Sequence, residues 1–596
     1  MNIEEENIKS VNIDRLLEGY QYGDLPEDYL LENYKNNIKS ILNDLFEKTN
    51  LYNYKFDDNN LIDISKINNC ESPTYIHQFG AEPISFLDFK KNGTYREIQI
   101  PNLIFYVPFM HNSIEVFEDI FDTIYDKDNN FTNYSNSYVV FDRQFRVKNE
   151  YDNSDIVIKQ GEFATKNNKM VNQLNNKQRA DKYFKSLGSK LYVLKMDIES
   201  FYPNIYTHFL ERIKNYEPYK NLIDNNKKSY FEFLDKYNMK VNSNQTKGIM
   251  AGCFASNISS ELMMLCVDNE IEKLLEGKDI SYIRYVDDFT FFSNSKEELE
   301  KIMDLTQKTL NKYKLRINQS KTKIMESVLY NDFVDFKQID FDFNHLGNIW
   351  ETIEEVNHLK NILKNYLENN KLTECKILLT KIGRRILNLL NERKEVVFIE
   401  DDELFLKKEN FLKNEDIDYI INYLLQIVFY SPVVGVSCYK LIEIILKYYQ
   451  EADIDTKNIV DILYNKTSSI DDKYNDTIIQ IWHYYILNKY SEHKYEEKLF
   501  EKLKEVNDDQ GIDINPLVLL SFVKQGNGSN TKIIKYIKKT YEKYSTSEKK
   551  LGNGIMLSKW WIVLLLIHVK DKKNYYSFYE SNAFSNIWKN LSKNDI

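Results

Sequence analysis

Two textures of apolar and polar positions divide the chain. From about residue 85 to 345, short runs rich in β-branched and aromatic residues alternate with stretches of helical spacing. The runs include REIQI (96–100), LYVLKMDI (191–198) and YIRYVDDFTFF (282–292). This alternation predicts an α+β region with carboxylates at strand ends. Ahead of it, the apolar spacing of EDYLLENYKNNIKSILNDLFEKT (27–49) predicts a helix within an N-terminal helical extension over residues 1–84. Beyond about residue 350 the pattern becomes helix after helix. VNHLKNILKNYLEN (356–369), DIDYIINYLLQIVFY (416–430) and CYKLIEIILKYYQEA (438–452) are examples. No strict repeat period is visible, and stacked helices of this kind predict an α-solenoid or irregular bundle over 346–596. The most apolar run, WWIVLLLIHV (560–569), is too short to span a bilayer and reads as a core helix.

Length and composition sharpen this outline. A chain of 596 residues accommodates two or three domains, each able to bury a full core. Only 17 Gly and 9 Pro punctuate it, which favours long helices over a turn-rich all-β fold. The net charge of −11 argues against a protein that coats nucleic acid wholesale. Locally the balance reverses: residues 141–195 carry twelve Lys/Arg against six Asp/Glu, a basic stretch suited to a polyphosphate or a nucleic-acid backbone. Cys70, Cys253, Cys266, Cys375 and Cys438 show no CxxC spacing, so neither a zinc site nor a disulfide framework is expected. The N-terminus MNIEEENIKS has no apolar segment of a signal peptide, and a cytoplasmic protein without a membrane anchor is expected.

The adjacent acids Asp287 and Asp288 lie between aromatic and apolar flanks, where charge is costly unless something neutralises it. About ninety residues earlier, LKMDIESFYPNIYTH places Asp197 at the end of another apolar run. Between them GIMAGCFASNISSELMM (248–264) reads as a glycine-bearing turn leading into a helix, and LRINQSKTK (315–323) follows. An aspartate, a Gly-x3-Gly turn, an aromatic-x-Asp-Asp hairpin and a lysine, in that order, resemble motifs A to D of a reverse-transcriptase palm. The resemblance implies a fingers-palm domain over 85–345 and a two-metal nucleotidyltransferase of the RNA-directed DNA polymerase kind. Mg2+, with Mn2+ as its substitute, is the expected cofactor, because hard carboxylate and phosphate oxygens suit it. By the same resemblance Asp197 and Asp287 bridge the ions, Ile198 offers a backbone carbonyl and Asp288 supports them. Tyr202 lies under the sugar and selects deoxynucleotides. Gly248 and Gly252 let backbone approach the nucleotide, Ser256 falls on the motif serine, and Lys321 faces the leaving pyrophosphate. Arg143, Arg146 and Lys148 become triphosphate ligands in the fingers.

The segments FYPNIYTH, IPNL followed by EVFEDIF, and GIMAG…SNISSELMM look most like the bacterial abortive-infection polymerases of the AbiK type, which belong with the defence-associated reverse transcriptases. That resemblance implies a HEAT-like helical repeat in place of a thumb and assembly into a homo-oligomer. Where ordinary reverse transcriptases carry Pro-Gln in the motif B turn, this chain has Met250 and Ala251. The departure puts ordinary templated copying in doubt. The expected activity is therefore template-independent, protein-primed DNA synthesis in antiphage defence. Deoxynucleoside triphosphates are the substrates, and a single-stranded DNA product is attached to a tyrosine. The alternatives are an enzyme that copies a dedicated non-coding RNA, and a non-catalytic scaffold with a relict palm. The priming position is open among 44 tyrosines. Exposed ones are favoured, such as Tyr20 and Tyr22 near the acidic N-terminus or tyrosines on loops of the helical half.

Overall fold

The structure is a computed structural model. It describes residues 20–31, 61, 64, 80–103, most of 105–116, 138–140, 171–173, 176–222, 228–330, 334–346, 353–395, 414–451, 454–491, 494–523, 530–546 and 558–570. Arg143, Arg146, Lys148 and Cys70 lie outside them, as does the 32–49 part of the expected N-terminal helix. The described part of that segment holds a single 3-10 turn, Glu27–Tyr29, rather than the start of an α-helix.

All the strands among the described residues precede the helical half. β1 (Ile84–Phe89) and β2 (Tyr95–Ile100) form an antiparallel hairpin, and β3 (Tyr138–Val140) pairs with β4 (Val171–Gln173). The central sheet has four antiparallel strands in the order β6 (Ile280–Tyr285), β7 (Asp288–Ser293), β5 (Tyr192–Asp197), β8 (Lys323–Glu326). Its register fixes two faces. Leu194 and Met196 of β5 line up with Phe291 and Phe289 of β7, and Tyr282 of β6 stacks on Phe291 with ring centroids 5.1 Å apart. This face joins the main core under α4 (Phe254–Leu275). The opposite face carries Val193, Ile283 and Phe292, which form a small second core with Tyr183 of α1 (Asn176–Leu187). Along that same face the register continues through Lys195 and Thr290 to Asp197 and Asp288. Period-two alternation thus places the acids on the side away from the main core.

Other helices of this half are α2 (Thr207–Arg212), packed on α3 (Ser229–Val241), and α5 (Lys296–Lys312), which covers β5 and β7 beside α4; single helical turns stand at Phe201–Asn204 and Tyr219–Leu222. α5 starts where the sequence S-x-x-E demands it. The Ser295 hydroxyl accepts from the Glu298 amide at 3.2 Å, and the Glu298 carboxylate takes the Ser293 hydroxyl at 3.1 Å.

The described residues beyond β8 that lie in regular elements are helical. α6 (Phe336–His345), α8 (Leu372–Glu395), α10 (Pro432–Glu451), α12 (Ile478–Tyr490), α14 (Pro516–Leu520) and α16 (Trp561–Lys570) pack each on the next. A second row, α7 (Ile353–Glu368), α9 (Asn414–Tyr430) and α11 (Lys457–Tyr474), packs alongside. Contacts between alternate helices in two rows are the signature of a stacked helical repeat. α13 (Glu496–Gln510) and α15 (Thr531–Thr546) complete the described helices. α16 is buried from Trp561 to Ile567, as expected of a core helix. No helix among the described residues is long and apolar enough to cross a membrane.

The two halves are tied together by backbone as well as side chains. The Leu87 amide of β1 donates to the Asp476 carbonyl at 2.9 Å, and Asn515 Nδ2 donates to the Ser85 carbonyl at 2.9 Å. Residues 20–31 lie across the junction as a strap. The Asp24 carbonyl accepts from Trp482 Nε1 at 2.8 Å, its carboxylate pairs with Lys440, and Asp28 takes the Tyr485 hydroxyl and the Lys489 ammonium. At the other end the Tyr20 hydroxyl donates to the Pro101 carbonyl, and its ring packs on Tyr106 and Trp561.

Close approach between α10 and α12 depends on Gly435. A Cβ there would stand 2.3 Å from Ile479 Cδ1, and Ile479 is fully buried. Gly435→Ala gains about 1 kcal/mol of helix propensity but overpacks the interface, which costs about 1–3 kcal/mol. The expected net is a loss of stability in urea denaturation. Ile479→Val, which removes the clashing methyl, should turn the same Gly435→Ala change into a gain.

Candidate active site

Asp197 ends β5 and Asp288 begins β7, and the two are directly opposite in the antiparallel ladder. The main chain anchors the end of β5 on both sides. The Ile198 amide donates to the Asp287 carbonyl at 3.1 Å, and the Asn318 amide donates to the Asp197 carbonyl at 2.7 Å. Tyr285 pairs with Asp288, which leaves Val286 and Asp287 as a two-residue turn between β6 and β7. Val286 has φ +55°, a left-handed conformation that a β-branched residue adopts at a cost.

The surroundings of the three acids decide their charge. Burial, then the Asp288 and Asp197 carboxylates, push Asp287 up to about 7. Burial likewise raises Asp288 to about 6; nearby Lys195 opposes the rise and Asp197 adds to it. Lys321 reaches back from the loop before β8, and its ammonium lies 3.0 Å from both oxygens of Asp197. Among the described residues two lysines, Lys321 and Lys195, therefore act on three acids. Among the described residues no group of three or more His, Cys, Asp or Glu is arranged as a finished metal cage. The donor set nevertheless fits hard divalent cations: carboxylate oxygens from two neighbouring strands and the turn between β6 and β7, gathered at one end of the sheet.

The turn 248–252 lies beside this cluster and is itself packed in. The Gly248 amide donates to the Ile205 carbonyl at 2.8 Å, the Ile249 amide to the Tyr202 carbonyl at 3.0 Å, and the Ala251 carbonyl accepts from the Gln99 amide at 2.9 Å. Gly248 and Gly252 have φ of +89° and +97°, where only glycine is relaxed. A Cβ on Gly252 would stand 2.7 Å from Ile98 Cγ2, so a side chain here would collide with β2. Ser256 is also buried, on the first turn of α4, where its hydroxyl meets Cys253 Sγ at 3.1 Å. Tyr202 is half-buried, and its hydroxyl donates to Asn257 Oδ1 at 2.8 Å. Asn257 escaped sequence reasoning because an asparagine one residue past Ser256 on a helix has no local signature.

Two other expectations change. Tyr20 is fully buried and bonded to Pro101, and Tyr22 is half-buried with its hydroxyl shared between Asp88 and Arg96. Neither is the exposed hydroxyl the sequence suggested. The acidic neighbours Asp24 and Asp28, each about half exposed, pair with cationic and aromatic partners on the helical half, and the aromatic rings between them bury apolar area. Cys253, Cys266, Cys375 and Cys438 are free and buried.

Beneath the sheet, Arg284 of β6 is fully buried between Asp268 and Glu261 of α4. Its Nη2 lies 2.7 Å from Asp268 Oδ2, and its Nη1 lies 3.0 Å from Glu261 Oε2. Burial raises the Asp268 carboxyl, and the guanidinium and the Tyr282 hydroxyl pull it back.

Because Asp287 holds its proton more tightly folded than unfolded, the fold loses stability as pH rises from about 4 through about 7. Asp287→Asn removes this loss. In metal-free buffer the variant should melt above the wild type at pH 8 and alongside it at pH 4, read by differential scanning calorimetry. Mg2+ should raise the wild-type melting temperature more at pH 8 than at pH 6, and raise that of the variant less.

Residues 154–369, under half of the chain, match the family described as reverse transcriptase (RNA-dependent DNA polymerase). No curated protein matches the chain. Among solved structures, telomerase from Candida albicans with a TWJ fragment of telomeric RNA is 11% identical. It covers 64% of this chain and 66% of its own, with a TM-score of 0.30. Telomerase from Candida tropicalis is similar to the same extent, at 15% identity and TM-score 0.26 with the RNA fragment and 13% and 0.27 as the apo form. The RNA-bound Candida tropicalis match spans 64% of each chain, and the apo match 68% of this chain and 69% of that one. The chain thus spans about two thirds of those telomerases, and likeness at these scores carries no functional weight. The family match, over the segment that contains the acid cluster, is the finding that bears on the chain's chemistry: residues 154–369 are similar to a reverse transcriptase domain.

Proposed function

We propose that this enzyme is a protein-primed DNA polymerase that extends without a template, of the abortive-infection kind and acting in antiphage defence. The observation that carries the reading is the packed state of the 248–252 turn. Met250 is 1% exposed, and Ala251, partly exposed with its carbonyl tied to Gln99, carries only a methyl group, so the positions where a template-reading Pro-Gln would stand offer no polar side chain to a template strand. The helical stack that follows the palm supports the same reading, since it meets the fingers through β1 and the strap.

In this proposal Asp197, Asp287 and Asp288 hold divalent cations, as reverse transcriptase domains generally do, with the Ile198 carbonyl beside them. Bound there, such ions supply charge neutralisation and lower the pKa of the attacking hydroxyl. The protein's own groups do the rest. Lys321, whose ammonium lies 3.0 Å from Asp197, would carry the positive charge that faces the departing pyrophosphate. The Tyr202 ring, held by Asn257, fills the space a 2′-hydroxyl would need. Arg143, Arg146 and Lys148 remain proposed triphosphate ligands. The hydroxyl of a tyrosine in the same assembly attacks the α-phosphorus, a phosphodiester forms, and pyrophosphate leaves. Tethering keeps that hydroxyl at an effective concentration in roughly the millimolar range.

Purified protein incubated with Mg2+ and each deoxynucleoside triphosphate, without nucleic acid, should become labelled on the protein band. Digestion should place the label on a tyrosine-bearing peptide. Incorporation that depends on added or co-purified RNA would instead make it a templated enzyme. Asp197→Ala or Asp287→Ala should lower incorporation by several orders of magnitude, because an underligated ion no longer supports the reaction. Tyr202→Ala should raise the ratio of ribonucleotide to deoxynucleotide incorporation. An unchanged ratio would reduce Tyr202 to a packing residue.

A further inference from the structure

Every N–H of the Arg284 guanidinium is engaged, and one of them leaves the ion-pair network. Nε donates to Asp268 at 2.9 Å, Nη2 to Asp268 at 2.7 Å and Glu261 at 3.1 Å, and Nη1 to Glu261 at 3.0 Å. The second Nη1 hydrogen points up through the sheet end to the carbonyl of Val286, at 2.9 Å. Five donors are thus used, which is the full capacity of the group. Val286 is the left-handed residue of the turn that presents Asp287, and Asp288 follows directly. A strained residue persists only where its surroundings over-determine it. Here a fully buried cation, itself clamped by two carboxylates of α4, fixes the carbonyl of that residue.

We propose that Arg284 is a positioning residue for nucleotidyl transfer: by holding the Val286 carbonyl it sets the conformation of the β6–β7 turn, and so the placement of Asp287 and Asp288. It touches no reacting atom. The inference rests on the assignment of those aspartates to the reaction. It also gives a reason for the two acids on α4, which lock the planar fork so that one N–H is left over for the turn. The same helix holds Asn257 against Tyr202, so the sugar-facing ring and the acidic turn are referenced to one rigid element.

A role confined to folding predicts a different outcome from a role in positioning, and two variants separate them. Arg284→Lys keeps a cation between Glu261 and Asp268 but lacks the planar fork, so the ammonium stays with the carboxylates and the Val286 carbonyl loses its donor. The triple variant Glu261→Met/Asp268→Asn/Arg284→Met removes the buried charges together, which avoids leaving one unpaired. It keeps an acceptor for the Tyr282 hydroxyl. Nucleotide incorporation, melting temperature and Mg2+ activation are measured on each, beside wild type and Asp287→Asn. The expected result is a folded Arg284→Lys protein with kcat lowered about 100-fold. KM for the nucleotide should stay near wild type, and the Mg2+ activation midpoint should move to higher concentration. The triple variant should recover melting temperature without recovering kcat. Either variant with wild-type melting temperature and kcat within about 3-fold of wild type, a difference under 1 kcal/mol, would overturn the proposal, provided Asp287→Asn is inactive. If Asp287→Asn is active, it is the assignment of the acids that fails. If neither Arg284 variant folds, Arg284 serves the fold alone and the proposal falls.

Discussion

Asp197 and Asp288 stand opposite each other across one rung of an antiparallel ladder, with Asp287 in the adjoining turn. Unit charges about 4 Å apart repel by about 4 kcal/mol even at an effective dielectric near 20. Burial adds to the cost, and the raised values of Asp287 and Asp288 show that the protein relieves it by holding protons. A fold that kept these acids only for stability would be better served by neutral residues. Much of the surrounding structure makes sense as the apparatus that tolerates this repulsion until cations arrive. Lys321 pairs with Asp197, Lys195 lies one step down the same face, and main-chain bonds from Ile198 and Asn318 hold the strand end in place.

The sheet achieves this by dividing labour between its faces. On one, aromatic rings from β6 and β7 stack into the main core and the fully satisfied Arg284 network binds the sheet to α4. On the other, a small apolar cluster around Tyr183 occupies the far end, away from the acids. Buried ion pairs seldom add net stability over apolar replacements. The retention of three charged groups under the turn therefore points to geometry rather than to folding energy.

Fingers, palm and helical stack behave as a continuous body at the strap. Residues 20–31 touch Asp88 and Arg96 on the hairpin, Pro101 beyond it, and Trp482, Tyr485 and Trp561 in the stack. Tyr22 also approaches Gly252 in the turn between Tyr202 and α4. The 248–252 turn is thereby joined, through the strap, to elements that are hundreds of residues apart in sequence.

Local pattern in the sequence determined a good deal. Strands at LYVLKMDI and YIRYVDDFTFF, the capped start of α5, the helical half and the apolar core helix at 561–570 all follow from short-range periodicity and turn chemistry. The order of the acid, glycine and lysine motifs also pointed to the polymerase family. What the sequence left open depends on contacts between distant segments. Lys321 sits 124 residues from Asp197, and only the β5–β8 pairing brings them together. The glycine at 252 gives no hint in sequence of the Ile98 side chain that packs against it. Tyr20 and Tyr22 looked exposed because their neighbours are acidic, but Pro101, Tyr106 and Trp561 bury the first and the β1–β2 hairpin half-buries the second. Arg284 read as one polar residue in an apolar strand. Its five donors acquire meaning only when α4 supplies two carboxylates and the turn supplies a carbonyl, since hydrogen bonding between remote elements leaves no periodic trace along the chain.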